Sequence, residues 1–171
     1  ERIFRDGELN PLTSVVGQIK KKGMGGPGAP AVAWQSNSYT IGDTLAHWFT
    51  PDFTYHAFRY MEIDGLNYQP KKEDIAGLSI HTNVDQHNNF SSSSSLINDI
   101  QNMVRRTFLA NLVGVQSDCP AREKFGYGGD LNATSPSFIY NFDMRSFYKK
   151  TVYDWVDAIN DSTFVDTAPN V

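Results

Sequence analysis

The sequence predicts an α+β protein whose first half forms antiparallel strands and whose second half forms helices. Residues 53–63 and 75–82 are rich in aromatic and branched side chains, with the alternation typical of strands. Residues 96–112 and 135–159 repeat their apolar side chains at helical spacing. The change falls in a polar stretch that includes five consecutive serines. We therefore expect a first domain at residues 1–85 and a second at residues 86–171.

The first predicted domain contains two recognisable strands. One runs from Phe53 to Ile63 and is followed by Gly65, which supplies a turn, and a second runs from Ile75 to Thr82. Such strands are expected to pair in an antiparallel sheet. Residues 20–30 (KKKGMGGPGAP) have the composition of a flexible loop but lack the GK[ST] ending of a phosphate loop, so nucleotide binding is not expected.

Two helices are predicted in the second domain. The first follows the serine run, whose hydroxyl groups can cap a helix, and extends for about five turns to Leu112. The second begins at Ser135-Pro136, a favourable cap followed by proline, and continues to Ile159. Apolar residues cover most of its circumference, so it must be packed on most sides. Two helices cannot do this, and the chain is expected to need further packing partners.

Composition argues against several classes of partner and site. Nineteen acidic and fifteen basic residues give a net charge of −4, which offers no basic surface for nucleic acid or anionic lipid. No apolar run approaches the roughly 20 residues of a membrane-spanning helix, so membrane insertion is not expected. A single cysteine, Cys119, excludes an internal disulfide framework. The N-terminus lacks a secretion signal, and we expect that a longer chain precedes it.

The predicted connection between the two helices, Val115 to Thr134, carries the most distinctive chemistry. Connections of this length in compact domains are usually functional. This one contains three carboxylates, Asp118, Glu123 and Asp130, and glycines on both sides of Tyr127 that permit close backbone approach. Carboxylates that bind hydroxyl groups, beside aromatic rings that cover C–H faces, are typical of sugar sites. From spacing alone, a solvated loop of scattered charges remains an alternative.

The string DCPAREKFGYGGD, residues 118–130, resembles the motif DCPxRxExxGWxGD of glycoside hydrolase family 78, the bacterial α-L-rhamnosidases. The three acids occur in the same order, and the interval of seven residues from the glutamate to the second aspartate is the same. FTYHAFRYMEI (53–63) resembles the family's F-x-YHGFRY-x-E strand, and HTNVDQHNNFSSSSSLIN (81–98) resembles the segment that leads into its catalytic barrel. NFDMRSFYKKTVYDW (141–155), followed by residues 165–169, resembles the next helix and loop. The resemblance covers roughly residues 45–171. It implies the closing strands of an antiparallel β-sandwich followed by the first helices of an (α/α)6 barrel.

The same resemblance implies residue roles. Glu123 matches the general acid, which protonates the glycosidic oxygen as the bond to rhamnose breaks. Asp118 and Asp130 match acids that bind rhamnose hydroxyl groups. Arg122 matches the motif arginine, which would brace the loop or pair with an acid. Tyr127 stands where the family usually has tryptophan, and the added hydroxyl group could alter substrate preference.

At the level of the whole protein, the resemblance implies release of terminal α-L-rhamnose from a glycoside or polysaccharide, without metal or cofactor. An inverting enzyme also needs a second carboxylate that activates water. In this family that base lies beyond residue 171, so the chain alone is expected to be inactive. The implied partners are the substrate and the remaining domains of the same polypeptide, and the implied location is secreted, periplasmic or at the cell surface.

Two other interpretations remain open. A non-catalytic carbohydrate-binding or structural protein could retain the same fold, although retention of all three acids favours an enzyme. His81, Asp85 and His87 would share one side of an extended strand and could bind a metal ion. Polar residues of an interdomain linker are the more ordinary interpretation of these three.

Overall fold

A computed structural model describes residues 4–5, 8–9, 36–121 and 123–169. The chain divides into two compact units, Glu1–Leu78 and Ser79–Val171. None of the helices in the described residues combines the length and apolarity that a membrane span requires.

The first unit contains little regular structure in the residues that are described. Strands β1 (Phe4–Arg5) and β2 (Glu8–Leu9) pair antiparallel, and a single 3₁₀ turn covers Lys72–Asp74. Between residues 36 and 78 the side chains are largely exposed, and no buried hydrophobic residue lies in this range.

The predicted strands at residues 53–63 and 75–82 are not confirmed, because neither range is assigned as a strand. Exposed apolar side chains, including Phe53, Phe58 and Met61, show that the first of these segments lacks a packed face. A strand becomes stable when a neighbouring strand completes its backbone hydrogen bonds and covers its apolar side. No ladder partner for residues 53–63 is present among the described residues.

The second unit begins its helical part with α1, Ser95–Ala110, which confirms the first predicted helix with an end slightly before Leu112. Its N-cap residue is Ser94, but the Ser94 side chain makes no capping hydrogen bond, so this part of the prediction is wrong. Instead, Asn98 reaches back from the first turn: its Nδ2 donates to the carbonyl of Ser92 at 2.9 Å, and its Oδ1 accepts from the Ser92 N–H at 2.8 Å. The amide of Asn98 therefore orders the serine run.

The remaining elements of this unit are a two-stranded hairpin and two helices. Strand β3 (Leu112–Val113) pairs antiparallel with β4 (Val115–Gln116), and Gly114 between them has a φ of 74°. Helix α2 covers Gly128–Asn141 and helix α3 covers Arg145–Asp157. Their buried side chains form one core, which consists of Leu112, Phe138, Phe142, Met144 and Phe147, with the ring of Phe108 from α1 stacked on Phe138 at 4.1 Å.

The prediction of one helix over residues 135–159 is wrong, because α2 and α3 are separated at residues 142–144. Phe142 has extended backbone angles (φ −136°, ψ 154°) and forms an isolated β-bridge with Gln86. On either side of it, the N–H of Asp143 donates to the carbonyl of Asp85 at 2.8 Å, and the carbonyl of Asn141 accepts from the N–H of His87 at 2.8 Å. Hydrogen bonds to the segment before α1 thus replace those that would continue the helix.

Polar side chains hold this junction. The Nη2 of Arg105 donates to the carbonyl and to the Oδ1 of Asn88, at 2.9 and 2.6 Å, and its Nε donates to the Oδ1 of Asn141 at 3.2 Å. Gln116, which is also buried, bridges α2 and α3: its Nε2 donates to Thr134 Oγ1 at 2.6 Å, and its Oε1 accepts from the Tyr148 hydroxyl at 2.9 Å. These contacts position the end of β4, from which the next loop starts.

Candidate functional site

The candidate site is the loop between β4 and α2, Ser117 to Tyr127. It is shorter than the predicted connection at residues 115–134, because the hairpin extends to Gln116 and α2 already begins at Gly128. The prediction placed the helix start near Pro136, which lies inside α2. Tyr127 is the actual N-cap, and its carbonyl accepts the N–H of Leu131 at 3.0 Å.

Asp118 closes the loop on itself. Its backbone N–H donates to the carbonyl of Phe125 at 3.0 Å, and its Oδ1 accepts from the N–H of Phe125 at 3.0 Å. Its Oδ2 accepts from the thiol of Cys119 at 2.8 Å. Both carboxylate oxygens therefore already have donors from within the loop.

Cys119 links this acid to the backbone of Glu123. Its Sγ accepts the N–H of Glu123 at 3.1 Å while the thiol donates to Asp118. Burial, together with the bond to Asp118, raises the pKa of the Cys119 thiol, so the group stays protonated and remains a donor. Sequence reasoning missed this role, since a thiol that bonds its own loop has no spacing pattern. The turn is completed by Lys124, which has a φ of 60° and whose pKa is lowered by burial.

Glu123 and Tyr127 are brought into direct contact. The Tyr127 hydroxyl donates to Glu123 Oε2 at 2.7 Å, and both side chains are half-buried. This bond is the main reason that the pKa of Tyr127 is raised far above its usual value, with contributions from burial and from the negative charges of Glu123 and Asp118. The hydroxyl thus remains protonated, and remains a donor, at neutral pH and well above it. The edge of one ring meets the face of the other between Tyr127 and Phe125, with centroids 5.9 Å apart.

Close packing fixes the backbone around Tyr127. The residue pairs with Thr167 in an antiparallel bridge, the N–H of Gly128 donates to the carbonyl of Asp166 at 3.1 Å, and the N–H of Ala168 donates to the carbonyl of Gly126 at 3.1 Å. A Cβ atom on Gly126 would lie 2.5 Å from the Ala168 carbonyl oxygen. The predicted need for glycine is confirmed here, although the close approach is to another segment of the protein.

The same need holds at Gly128, where a Cβ atom would lie 2.8 Å from the ring of Trp155. It does not hold at Gly129, which has no such atom within 4 Å. Only two of the three glycines in the motif therefore stand at close contacts.

Asp130 and Arg122 complete the predicted set. Asp130 lies in the first turn of α2, where a carboxylate is favourable beside the helix dipole, and it is exposed. Its backbone carbonyl accepts the Thr134 hydroxyl at 2.7 Å. Arg122 lies outside the described residues. The described geometry therefore gathers Asp118, Glu123 and Tyr127 in one loop, with Asp130 on the adjoining helical turn.

The alternative metal cluster has no support in the described residues, where no group of three or more His, Cys, Asp or Glu could hold a metal ion. His81 Nδ1 lies 2.9 Å from the carbonyl of Thr82, while the backbones of Asp85 and His87 pair with the end of α2. A groove of about 540 Å³ runs along α1, and Pro120 is the residue of the loop that lines it. It is therefore distinct from the surroundings of Glu123.

Family models of two bacterial rhamnosidase domains match the chain. The bacterial alpha-L-rhamnosidase 6 hairpin glycosidase domain matches residues 85–171, and the bacterial alpha-L-rhamnosidase concanavalin-like domain matches residues 17–81.

Relatives of the chain carry the same name. An alpha-L-rhamnosidase of Formosa agariphila is 36% identical over 132 residues, which are 77% of this chain and 14% of that protein. An alpha-L-rhamnosidase of Streptomyces avermitilis is 30% identical over 138 residues, which are 80% of this chain and 13% of that protein. The chain thus spans about one seventh of the length of these curated relatives.

Solved structures agree with these sequence relationships. The alpha-L-rhamnosidase from Dictyoglumus thermophilum matches with a TM-score of 0.57 at 36% identity, covering 60% of this chain and 12% of that chain. The Streptomyces avermitilis alpha-L-rhamnosidase, solved in complex with L-rhamnose, matches with a TM-score of 0.51 at 29% identity, covering 53% of this chain and 9% of that chain. With the six-hairpin glycosidase match extending over just over half of its residues, this chain belongs to the bacterial α-L-rhamnosidase family.

Proposed function

We propose that this chain supplies the general acid, Glu123, to an α-L-rhamnosidase that releases terminal α-L-rhamnose from a glycoside or polysaccharide with inversion. The observation that carries this proposal is the placement of Glu123 in a closed loop, with its carboxyl group held by the Tyr127 hydroxyl at 2.7 Å. Family membership supports the substrate class, because the relatives are α-L-rhamnosidases and one solved relative is complexed with L-rhamnose.

Glu123 suits the role of acid better than its neighbours do. Both oxygens of Asp118 accept hydrogen bonds from inside the loop, which leaves Asp118 better placed to orient the loop and accept a sugar hydroxyl with its remaining lone pairs. Asp130 is exposed on the first turn of α2 and can accept a second sugar hydroxyl. We assign substrate binding to Asp118, Asp130, Arg122 and Tyr127.

The reaction needs a second carboxylate, at roughly 6.5–9.5 Å from the acid, to activate water on the opposite face of the sugar. We propose that it comes from a part of the polypeptide outside these 171 residues, and that this chain alone does not turn over substrate. The fraction of the relatives that the chain spans, about one seventh, supports a division of the active site along a longer sequence.

The architecture proposed for the intact protein follows the same division. Residues 1–85 would close a β-sandwich, and residues 86–171 would open an (α/α)6 barrel. Apolar side chains that are exposed on the described helices, such as Leu96, Met103 and Val152, would contact the remaining domains. A secreted, periplasmic or cell-surface location is proposed on the resemblance alone.

The decisive test replaces Glu123 by Gln in the full-length protein and compares two rhamnosides. An alkyl α-L-rhamnoside has a poor leaving group that needs a proton, whereas 4-nitrophenyl α-L-rhamnoside has a good one that needs it far less. We expect kcat on the alkyl rhamnoside to fall by about 10²–10⁴-fold, the usual contribution of general acid catalysis, with a much smaller loss on the nitrophenyl compound and nearly unchanged rhamnose binding. Near-normal turnover of the alkyl rhamnoside would remove Glu123 from the acid role.

The stereochemistry and the competing function are tested with the unmodified protein. Proton NMR of the sugar released in the first turnovers is expected to show β-L-rhamnose, the product of inversion. Accumulation of the α anomer first would contradict the inverting mechanism. Rhamnoside binding without hydrolysis would instead support the non-catalytic carbohydrate-binding alternative.

A further inference from the structure

Tyr127 combines two features that the motif does not explain together: a hydroxyl group absent from the family's usual tryptophan, and a direct bond from that hydroxyl to the proposed acid. The distance from the Tyr127 oxygen to Glu123 Oε2 is 2.7 Å. We infer that the Tyr127 hydroxyl directs the acidic proton of Glu123 to Oε1 and stabilises the carboxylate that remains after proton transfer. This inference rests on the proposed function and assigns Tyr127 as a positioning residue in addition to a sugar contact.

The first step of the argument concerns where the proton resides. A protonated carboxyl group carries one O–H donor, and it accepts hydrogen bonds more strongly through its other, carbonyl oxygen. Because Oε2 accepts the Tyr127 hydroxyl, the arrangement that keeps this hydrogen bond has the proton on Oε1. The tyrosine keeps its own proton, since its pKa is raised far above its usual value by the bond to Glu123. The pair therefore presents a single acidic proton, on the oxygen opposite the tyrosine.

The second step concerns the transition state. As the glycosidic bond breaks, its electron pair stays on the leaving oxygen, which takes the proton from Oε1, and Glu123 becomes a carboxylate. A hydrogen bond to a carboxylate is stronger than one to a neutral acid. The Tyr127 bond thus strengthens during proton transfer, and an interaction that strengthens in the transition state raises kcat without tightening substrate binding.

The third step concerns rigidity, because a positioning residue must itself be held. The backbone of Tyr127 is bridged to Thr167 and caps α2, and the flanking glycines pack against Ala168 and Trp155. Glu123 is tied through its N–H to the Cys119 thiol at 3.1 Å. Both partners of the hydrogen bond are therefore anchored at their backbones.

The test substitutes Tyr127→Phe in the full-length protein, which removes the hydroxyl and keeps the ring. We expect kcat on an alkyl α-L-rhamnoside to fall by about 10- to 100-fold, the effect of losing a hydrogen bond to a charged group, with KM nearly unchanged. On 4-nitrophenyl α-L-rhamnoside, where little proton transfer is needed, the loss is expected to be less than about threefold. This difference between leaving groups is a readout that a purely structural role would not move.

Tyr148→Phe is the matched control, because it removes a hydroxyl of the same kind that donates to Gln116 Oε1 at 2.9 Å, outside the candidate site. It is expected to lower the Tm without any dependence on the leaving group. Equal losses on both substrates for Tyr127→Phe, or a higher KM at constant kcat, would overturn the positioning role in favour of packing or of a sugar platform.

Two further comparisons keep the outcomes separable. If Glu123→Gln shows the leaving-group effect and Tyr127→Phe does not, this inference fails while the proposed function stands. If neither variant shows the leaving-group effect, the proposed function fails first.

If Tyr127→Phe does not fold, Tyr127 can be replaced by 3-fluorotyrosine, which keeps the ring and has a hydroxyl group that is a stronger donor. An increased kcat on the alkyl rhamnoside is then expected, and an unchanged or decreased kcat contradicts the inference.

Discussion

Among the glycines that the structure describes, Gly126 leaves the least room for a side chain. A Cβ atom there would lie 2.5 Å from the carbonyl oxygen of Ala168, and real Cβ atoms essentially never come within 3.0 Å of such an atom. In Gly126→Ala the two segments must therefore separate by at least 0.5 Å. The obstacle is backbone, so rotation of a side chain cannot relieve it.

The separation acts on two hydrogen bonds. The Ala168 N–H donates to the Gly126 carbonyl, and the Gly128 N–H donates to the Asp166 carbonyl, each at 3.1 Å. Overpacking of this kind lowers stability by about 1–3 kcal/mol, and the loss of each hydrogen bond lowers it by about 1 kcal/mol. Because Tyr127 lies between these two bonds, its contact with Glu123 should loosen as well.

Amide hydrogen exchange in the full-length protein measures this local change directly. If the free energy of local opening falls by about 2 kcal/mol, exchange at Gly128 and Ala168 should become about 30-fold faster. The matched control is Gly129→Ala, since nothing lies within 4 Å of a Cβ atom there and alanine is favoured over glycine in a helix by up to about 1 kcal/mol. Equal exchange rates in the two variants would refute the steric reasoning.

The core and an exposed ion pair give two further predictions. Phe138→Ala removes a buried ring that stacks on Phe108 with centroids 4.1 Å apart, and urea unfolding should show a fall of about 3–5 kcal/mol in the free energy of unfolding. The control is Tyr140→Ala, at a residue that is 74% exposed, which should change the free energy of unfolding by less than about 0.5 kcal/mol. A similar fall in both variants would contradict the assigned core. The pKa of Asp143 is lowered from 3.8 to about 2, mainly by the hydrogen bond from Arg145, so the pair stabilises the fold above about pH 4 and this stabilisation is lost as the pH falls through about 2. An NMR titration should show the pKa of Asp143 returning toward 3.8 in Arg145→Gln, and an unchanged value would show that another group lowers it.

The helix α1 and the position of the candidate loop were predictable from sequence. The apolar spacing predicted the helix Ser95–Ala110. Such a prediction can succeed because the backbone hydrogen bonds of an α-helix join residues only four positions apart, so no distant segment is needed to form them. The motif at residues 118–130 identified Glu123 and Tyr127 as members of one loop, because its spacing and residue types are themselves distinctive. Close packing at Gly126 and Gly128 was likewise signalled by the glycines.

Other features depended on partners that no local pattern reveals. The break between α2 and α3 exists because Phe142 pairs with Gln86, which lies more than fifty residues earlier. The strands expected at residues 53–63 and 75–82 were not found, since alternation describes a segment able to pair but does not provide the pairing strand. In both cases the local sequence allows more than one backbone conformation, and hydrogen bonds to a distant segment decide which of them forms.

At the candidate site, sequence supplied the chemical groups and tertiary structure supplied their directions. The motif contains Glu123, Tyr127 and Cys119 as residue types. It did not reveal that the Tyr127 hydroxyl donates to Glu123 or that the Cys119 thiol donates to Asp118. Those bonds require the turn at Lys124 and the anchoring of residues 126–128 on residues 166–168. Residue types are written in the chain, whereas a hydrogen bond also needs two atoms about 3 Å apart and aligned, and only the folded backbone brings them there.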